Sequence, residues 1–102
     1  MLFRSDRLIT PQYDRGACTT LEIGFNHHYS DNDVDDFGYL DISVDSGPWE
    51  TVHAYSSTGS GPQAYDVTSY VGSGSQFQVR FRYVGYYDNF WRVDDVQFTG
   101  AP

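Results

Sequence analysis

Five aspartates form two acidic groups that have the chemistry to hold a metal ion. Asp31, Asp33 and Asp35 fall at alternate positions of "SDNDVDDFG". An EF-hand loop opens with this spacing, because alternate carboxylates on a tight turn converge on one hard cation. The rest of that motif is absent, since Asp36 stands where an EF-hand has glycine and Ile42 where it has a bidentate glutamate. The segment therefore predicts either a calcium site or a solvated acidic hairpin loop.

The second group is the adjacent pair Asp94 and Asp95, in the middle of the strand-like segment "DNFWRVDDVQF". Trp91 and Val93, before the pair, have odd numbers, whereas Val96 and Phe98, after it, have even numbers. Because successive side chains of a strand point to opposite faces, this slip predicts a β-bulge or a sharp bend at the pair.

We expect Asp94 and Asp95 to be buried in this closing strand. A buried carboxylate needs a partner, because an isolated buried charge is very costly. Three arrangements follow from the sequence: a bound calcium ion, an ion pair with Arg92 or Arg80, or simple exposure.

Aromatic and planar polar residues near the C-terminus have the composition of a sugar-binding surface. Rings cover the apolar faces of pyranoses, while arginine, aspartate and amide groups satisfy hydroxyls. The side chains of the segment "QFQVRFRYV" that alternate with its apolar residues point outward and include two arginines, which supply further polar groups for a sugar. Alternatively, these arginines pair with Glu22, Asp41 or Asp45. The candidate ligand-binding residues are Tyr86, Tyr87, Asp88, Asn89, Phe90, Arg80 and Arg82.

The histidines do not predict a zinc site. His27 and His28 are neighbours in a strand and point to opposite faces, so they cannot chelate one ion together. We expect His27 to be a core residue with a satisfied hydrogen bond, and Trp49 and Trp91 to be core anchors. No further ligand for zinc is evident beside His28 and His53.

Composition and motifs exclude several function classes. The formal charge is −8, from fourteen acidic residues against six arginines and no lysine, which disfavours nucleic acid and anionic membranes as partners. The single cysteine, Cys18, forms no internal disulfide. The sequence has no nucleophile elbow, no His-Glu-x-x-His and no phosphate-binding loop, so we expect no enzymatic activity. A hydrolase that uses two carboxylates facing one another across a cleft is the alternative that the sequence leaves open.

The elements that position these groups are strands. Apolar residues alternate with polar ones in "LEIGFNHHY", "YLDISV" and "FQVRFRY", and the turn "SGP" joins the second of these to "WETVHAY". Six or seven short strands predict an all-β, antiparallel two-sheet sandwich of jelly-roll, galactose-binding-like type. Residues 1–102 form one domain, or the C-terminal part of a larger sandwich with an uncovered sheet edge.

The order of these signals resembles the jelly-roll accessory domains of the MAM and cleaved-adhesin type, which occur beside secreted bacterial peptidases and surface adhesins. The most specific pieces are "GYLDISVDSGPWETV" and "FQVRFRYVG…WRVDDVQF", and the likeness covers roughly residues 7 to 99. Two features differ from the family pattern: this chain has Ser46-Gly47-Pro48 where the family has Asp-Gly-Gly, and the family extends further at the N-terminus.

The resemblance implies a non-catalytic binding or adhesion module of a secreted or cell-surface protein, stabilised by calcium, with Asp94 or Asp95 as the matching ligand. Glycan is the first-choice partner, and an extracellular protein is the second. Two alternatives remain: a structural accessory domain of a peptidase, and a small sandwich that forms homodimers through an open sheet edge.

Overall fold

The computed structural model describes residues 3–30, 37–56, 59–86 and 90–102. Nearly all of them lie in eight strands, and one short helix precedes the seventh. The elements are β1 (Phe3–Ile9), β2 (Tyr13–Asp14), β3 (Thr20–Ser30), β4 (Phe37–Val44), β5 (Trp49–Tyr55), β6 (Gly59–Asp66), α1 (Thr68–Val71), β7 (Gln76–Tyr86) and β8 (Phe90–Ala101).

The strands form two antiparallel sheets, which confirms the predicted all-β sandwich. The five-stranded sheet has the order β1-β7-β4-β5, with β2 also paired to β7, and the three-stranded sheet has the order β6-β3-β8. The chain passes between the sheets at β2 to β3, β3 to β4, β5 to β6, β6 to β7 and β7 to β8, so most neighbours in a sheet are distant in sequence. Within the described ranges, no helix has the length and hydrophobicity needed to span a bilayer.

The core lies between the sheets and follows the alternation of the sequence. In β7 the inward side chains are Phe77, Val79, Phe81 and Tyr83, which are all buried. They meet the inward residues of β3 and β4 in a single hydrophobic cluster. Burying one such side chain contributes about 1.5–3 kcal/mol, so this cluster is the main source of stability.

Two parts of the chain form more strand than the sequence suggests. The segment "GSGPQ", whose glycine, serine and proline content is typical of a loop, belongs to β6, where Pro62 lies opposite Asn26. An edge strand tolerates proline because only one of its sides must donate hydrogen bonds. At the other end, the apolar signal "RLI" is only part of β1, which begins at Phe3, and the chain pairs with β7 again in β2, beyond Pro11.

The β4–β5 hairpin is confirmed, and its turn is unusual. Asp45 and Ser46 have φ angles of 51° and 61°, and Gly47 N donates to Val44 O at 2.9 Å, so the turn is of type I′. Asp45 Oδ1 accepts hydrogen bonds from the backbone N–H groups of Ser75 and Gln76, both at 3.0 Å. These bonds tie the hairpin to the start of β7 and hold a non-glycine residue in the left-handed region.

Candidate functional site

The outer face of the five-stranded sheet carries a compact polar cluster around one carboxylate. Asp41 Oδ2 accepts hydrogen bonds from Arg80 Nε at 2.9 Å and from Arg82 Nε at 3.0 Å, and Arg80 Nη2 lies 2.8 Å from the same oxygen. Thr51 Oγ1 donates to Asp41 Oδ1 at 2.8 Å. Asp41 thus receives charge-assisted hydrogen bonds from two arginines on one oxygen and a hydrogen bond from Thr51 on the other, and charge-assisted bonds are the stronger kind.

The register of three strands brings these residues together. Asp41 lies opposite Arg80 of β7 on one side and opposite Thr51 of β5 on the other, while Tyr39 lies opposite Arg82. Because every second residue of a strand shares a face, the outward rows of β4 and β7 meet side by side. Asp41 is one of the three carboxylates expected from the sequence as partners of the arginine row.

Burial does not neutralise Asp41. Its side chain is only 1% exposed, and this burial raises its pKa. Hydrogen bonds from Arg82, Thr51 and Arg80 act in the opposite direction and outweigh burial, so the pKa lies below its ordinary value. The carboxylate is therefore ionised at neutral pH.

Aromatic rings enclose the same cluster. The guanidinium carbon of Arg80 lies 4.4 Å from the centre of the Trp49 ring, and that of Arg82 lies 4.2 Å from the centre of the Tyr39 ring. Phe37 stacks on Tyr39, with a centroid distance of 6.1 Å and an interplanar angle of 26°. Each cation–π contact contributes about 0.5–1 kcal/mol at such a partly exposed site. We call the six residues Phe37, Tyr39, Asp41, Trp49, Arg80 and Arg82 the outer-face array.

The location of Trp49 corrects the sequence prediction. It was expected in the core, but it pairs with Ser43 on the outward side of the sheet and is half-buried under Arg80. Trp91 does pack against the core, as predicted. The side of the sheet on which Trp49 lies is set by its register with β4, in which Ser43 is opposite Trp49.

The arrangement favours binding rather than bond-breaking chemistry. One aspartate faces two arginines, so the outer-face array keeps one net positive charge. A guanidinium has five N–H donors, and Asp41 engages only two nitrogens of Arg80 and one of Arg82. The remaining donors, fixed in place beside aromatic rings, suit hydroxyl, carboxylate or sulfate oxygens.

The acidic pair on β8 lies at a bulge, as predicted. Gly24 pairs with Gln97 and Asn26 pairs with Asp94, so Phe25 of β3 faces both Asp95 and Val96. Asp95 has a φ angle of 54°, which a short polar side chain tolerates better than most. The bulge turns the odd-numbered residues before it and the even-numbered residues after it toward the same core, which accounts for the slip in the sequence pattern.

The expected burial of this pair is wrong, because Asp94 and Asp95 are both exposed. The reason is that β8 is the last strand of its sheet and the bulge directs both carboxylates to solvent. Asp94 Oδ1 accepts a hydrogen bond from the N–H of Asp95 at 2.9 Å, and Asn26 Nδ2 donates to Asp95 Oδ2 at 3.2 Å. Arg80, one of the two expected partners, pairs with Asp41 instead.

Other predicted site residues lie in parts of the chain where little is described. Asp31, Asp33, Asp35, Tyr87, Asp88 and Asn89 lie outside the described residues, and only the backbone of Tyr86 and Phe90 is described. Among residues 3–30, 37–56, 59–86 and 90–102, no group of three or more His, Cys, Asp or Glu side chains is placed to hold a metal ion. The calcium site remains a prediction.

His27 is a core residue with a satisfied hydrogen bond, as predicted. Its side chain is buried, and Nδ1 accepts a hydrogen bond from Trp91 Nε1 at 3.0 Å. Burial, together with the nearby His28 and His53, lowers the pKa of His27. The imidazole is therefore neutral at pH 7 and fixes the orientation of the indole.

No protein-family model matches this sequence, and a search of curated proteins finds no match to it.

Proposed function

We propose that this domain is a non-catalytic glycan-binding module, and that the ligand binds across the outer-face array. The observation that supports this proposal most strongly is the pair of guanidinium groups held by Asp41 beside the rings of Trp49 and Tyr39. Apolar ring surface and oriented donors are the two kinds of group that a pyranose requires.

Pre-organisation adds to the case. Both arginines lose side-chain freedom on folding, when they pair with Asp41, and not on ligand binding. Ordering a long side chain at an interface costs about 0.5–1.5 kcal/mol, so a donor array fixed beforehand binds at a lower entropic cost. Arg80 and Arg82 still keep 13% and 29% of their side-chain surface exposed, which leaves them within reach of a ligand.

The charge of the outer-face array indicates the class of glycan. Its single net positive charge stands out in a chain with a formal charge of −8. We therefore propose an acidic polysaccharide, one with uronate or sulfate groups, over a neutral one. The net charge of the chain opposes any polyanion at long range, but salt screens that repulsion beyond about 8 Å, so the direct contacts with the two arginines decide the preference. Its carboxylates would pair with the guanidinium N–H groups that Asp41 leaves available.

Affinity electrophoresis tests this proposal with polygalacturonate and, as a neutral match, its methyl ester. We expect polygalacturonate to retard the protein more than the ester does. Arg82→Gln should reduce the affinity by about tenfold, which corresponds to about 1.4 kcal/mol, while Arg82→Lys should keep part of it. Circular dichroism verifies that each variant is folded, and Gln97→Ala, on the exposed face of the other sheet, is the control.

Equal retardation by both polymers would show that the carboxylates of the polysaccharide do not contribute to binding. If a panel of neutral and acidic polysaccharides gives no retardation at all, the glycan proposal is wrong. The alternative is then a structural accessory domain, which predicts that a neighbouring domain loses stability when this one is deleted.

Self-association through an edge of the three-stranded sheet is the weaker alternative. The edge strand β6 contains Pro62, and the edge strand β8 contains the bulge with its two exposed carboxylates. Both features disfavour pairing with another strand. A dimer through an edge predicts a size in solution that rises with concentration, which sedimentation measures directly.

A further inference from the structure

The edge strand β1 continues the outer face of the five-stranded sheet beyond the outer-face array. In its register with β7, Arg7 lies opposite Arg82 and Ile9 lies opposite Arg80. Residues directly opposite each other on neighbouring strands share a face, so Arg7 and Ile9 lie on the side of the sheet that carries the array. One rung of the sheet therefore runs from Arg7 through Arg82 to Tyr39.

Arg7 has no partner among the residues that the structure describes. Its side chain is exposed and takes part in no hydrogen bond or ion pair within them. Asp41, on the second strand from β1, already accepts a hydrogen bond from Arg82. Asp14 lies opposite Gln76, at the far end of β7 and about 20 Å from Arg82. Neither carboxylate therefore neutralises Arg7.

The pair of Arg7 and Arg82 is unfavourable for the sheet by itself. Like charges directly opposite each other on neighbouring strands are destabilising. Asp41 compensates Arg82 from the side of β4, which leaves the charge of Arg7 beside it without a counter-charge in the described structure. An anion bound at both guanidinium groups would turn this repulsion into attraction.

The two side chains have the donors that such an anion needs. Arg82 meets Asp41 through Nε, and its two terminal nitrogens have no partner within the described ranges. The guanidinium of Arg7 keeps all five of its N–H groups. Ile9, which is 43% exposed, adds apolar surface on the same face. The combination of oriented donors and apolar surface thus continues from the array to the edge of the sheet.

We propose that Arg7 and Arg82 form a second anion subsite. In this arrangement an acidic polysaccharide crosses the strands from the rings of β4 and β5 toward β1, with one acidic group at Arg80 and another at Arg7 and Arg82. The inference rests on the glycan-binding function proposed above, and it adds the direction of the ligand and a minimum of two acidic groups. Three strand spacings of about 4.8 Å separate β5 from β1, so the ligand extends over about 14 Å.

Affinity electrophoresis of the intact protein at several concentrations of polygalacturonate gives the dissociation constant that tests this subsite. Arg7→Gln should weaken binding about fivefold, and Arg7→Lys should keep part of the affinity. Because Arg7 has no partner in the described structure, Arg7→Gln should lower the Tm by no more than about 3 °C. A loss of affinity without a loss of stability is the result expected of a ligand contact.

Arg92→Gln is the matched control, because it removes the same charge from the other sheet. Arg92 is exposed and lies opposite His28 on the three-stranded sheet. The two variants have the same net charge and therefore comparable mobility without the polymer. Arg92→Gln should change the affinity by less than about twofold. If both variants weaken binding equally, only the net charge matters and the subsite is overturned.

The outcomes also separate this inference from the glycan proposal. If polygalacturonate binds and Arg82→Gln weakens it, whereas Arg7→Gln has no effect, the second subsite is wrong and the glycan proposal stands. If the wild-type protein is not retarded at all, both are wrong. If polyglutamate binds as tightly and is equally sensitive to Arg7→Gln, the ligand is an acidic peptide and its assignment as a polysaccharide is overturned.

Discussion

Asp41 holds together two arginines and a threonine on the outer sheet face, so its removal should destabilise the whole domain. In Asp41→Asn the shape of the side chain is kept, but the charge that compensates Arg80 and Arg82 is lost. Removing one partner of a buried ion pair costs about 3–5 kcal/mol. Because the two arginines keep 13% and 29% of their side-chain surface exposed and can recover some hydration, we expect about 3 kcal/mol, the low end of that range.

Urea unfolding followed by circular dichroism measures this loss. A change of about 3 kcal/mol corresponds to a fall in Tm of about 12–24 °C for a domain of this size, with an unchanged m-value. Glu50→Gln, which alters an exposed carboxylate on the adjacent strand β5, is the control and should have an effect within about 0.5 kcal/mol. A loss below about 0.5 kcal/mol in Asp41→Asn would refute the reasoning, because it would mean that the arginines gain as much from water as from Asp41.

The loss of stability in Asp41→Asn should depend on pH. The pKa of Asp41 is lower in the folded protein than the ordinary value of 3.8. Its contribution to stability is therefore fully present above that value and is lost as the pH falls through the lower pKa of the folded state. The stability difference between wild type and Asp41→Asn should be constant from pH 7 to pH 5 and should shrink in more acidic solution.

Three further predictions concern other parts of the fold. The pKa of His27 is lower in the folded protein than its ordinary value of 6.5, so below that pH the unfolded chain binds a proton more readily than the folded one. The free energy of unfolding should therefore fall from pH 7.5 to pH 5.5, and it should fall less steeply in His27→Gln. Ser46→Gly should raise the stability in urea by up to about 1 kcal/mol, because glycine adopts the positive φ of this turn position without strain; a loss of stability would contradict this. Calcium should raise the Tm by an amount that EGTA reverses and that Asp94→Asn or Asp95→Asn reduces; no shift would mean that the predicted calcium site is wrong.

The alternation of apolar residues was sufficient to predict the sandwich and the core-facing residues of β3, β4 and β7. It also located the bulge at Asp94 and Asp95, because a slip of one residue in a strand has few other causes. The exposure of the pair was not predictable in this way, since a strand's own sequence does not show whether it lies at the edge or in the middle of a sheet.

The outer-face array was only partly predictable for a related reason. The sequence identified Arg80 and Arg82 as an outward row and gave Asp41 as one of three partners. The choice among the three depends on the register between β4 and β7, which are separated by two strands and a helix in the chain. Trp49 required the register of β5 as well, and this register shifts between Leu40 and Asp41.

The pairing order of the strands bears on how the chain folds. β1, near the start of the chain, pairs with β7, and β3 needs β8, the last strand, to complete its sheet. The hairpin of β4 and β5 is the one paired unit built from consecutive described strands, so it is the natural place for structure to begin. The remaining pairs close long loops, and domains dominated by such contacts fold in milliseconds to seconds rather than microseconds. During synthesis, neither sheet can be completed before most of the chain has left the ribosome, and until then the apolar side of β3 lacks the strands that cover it in the folded domain.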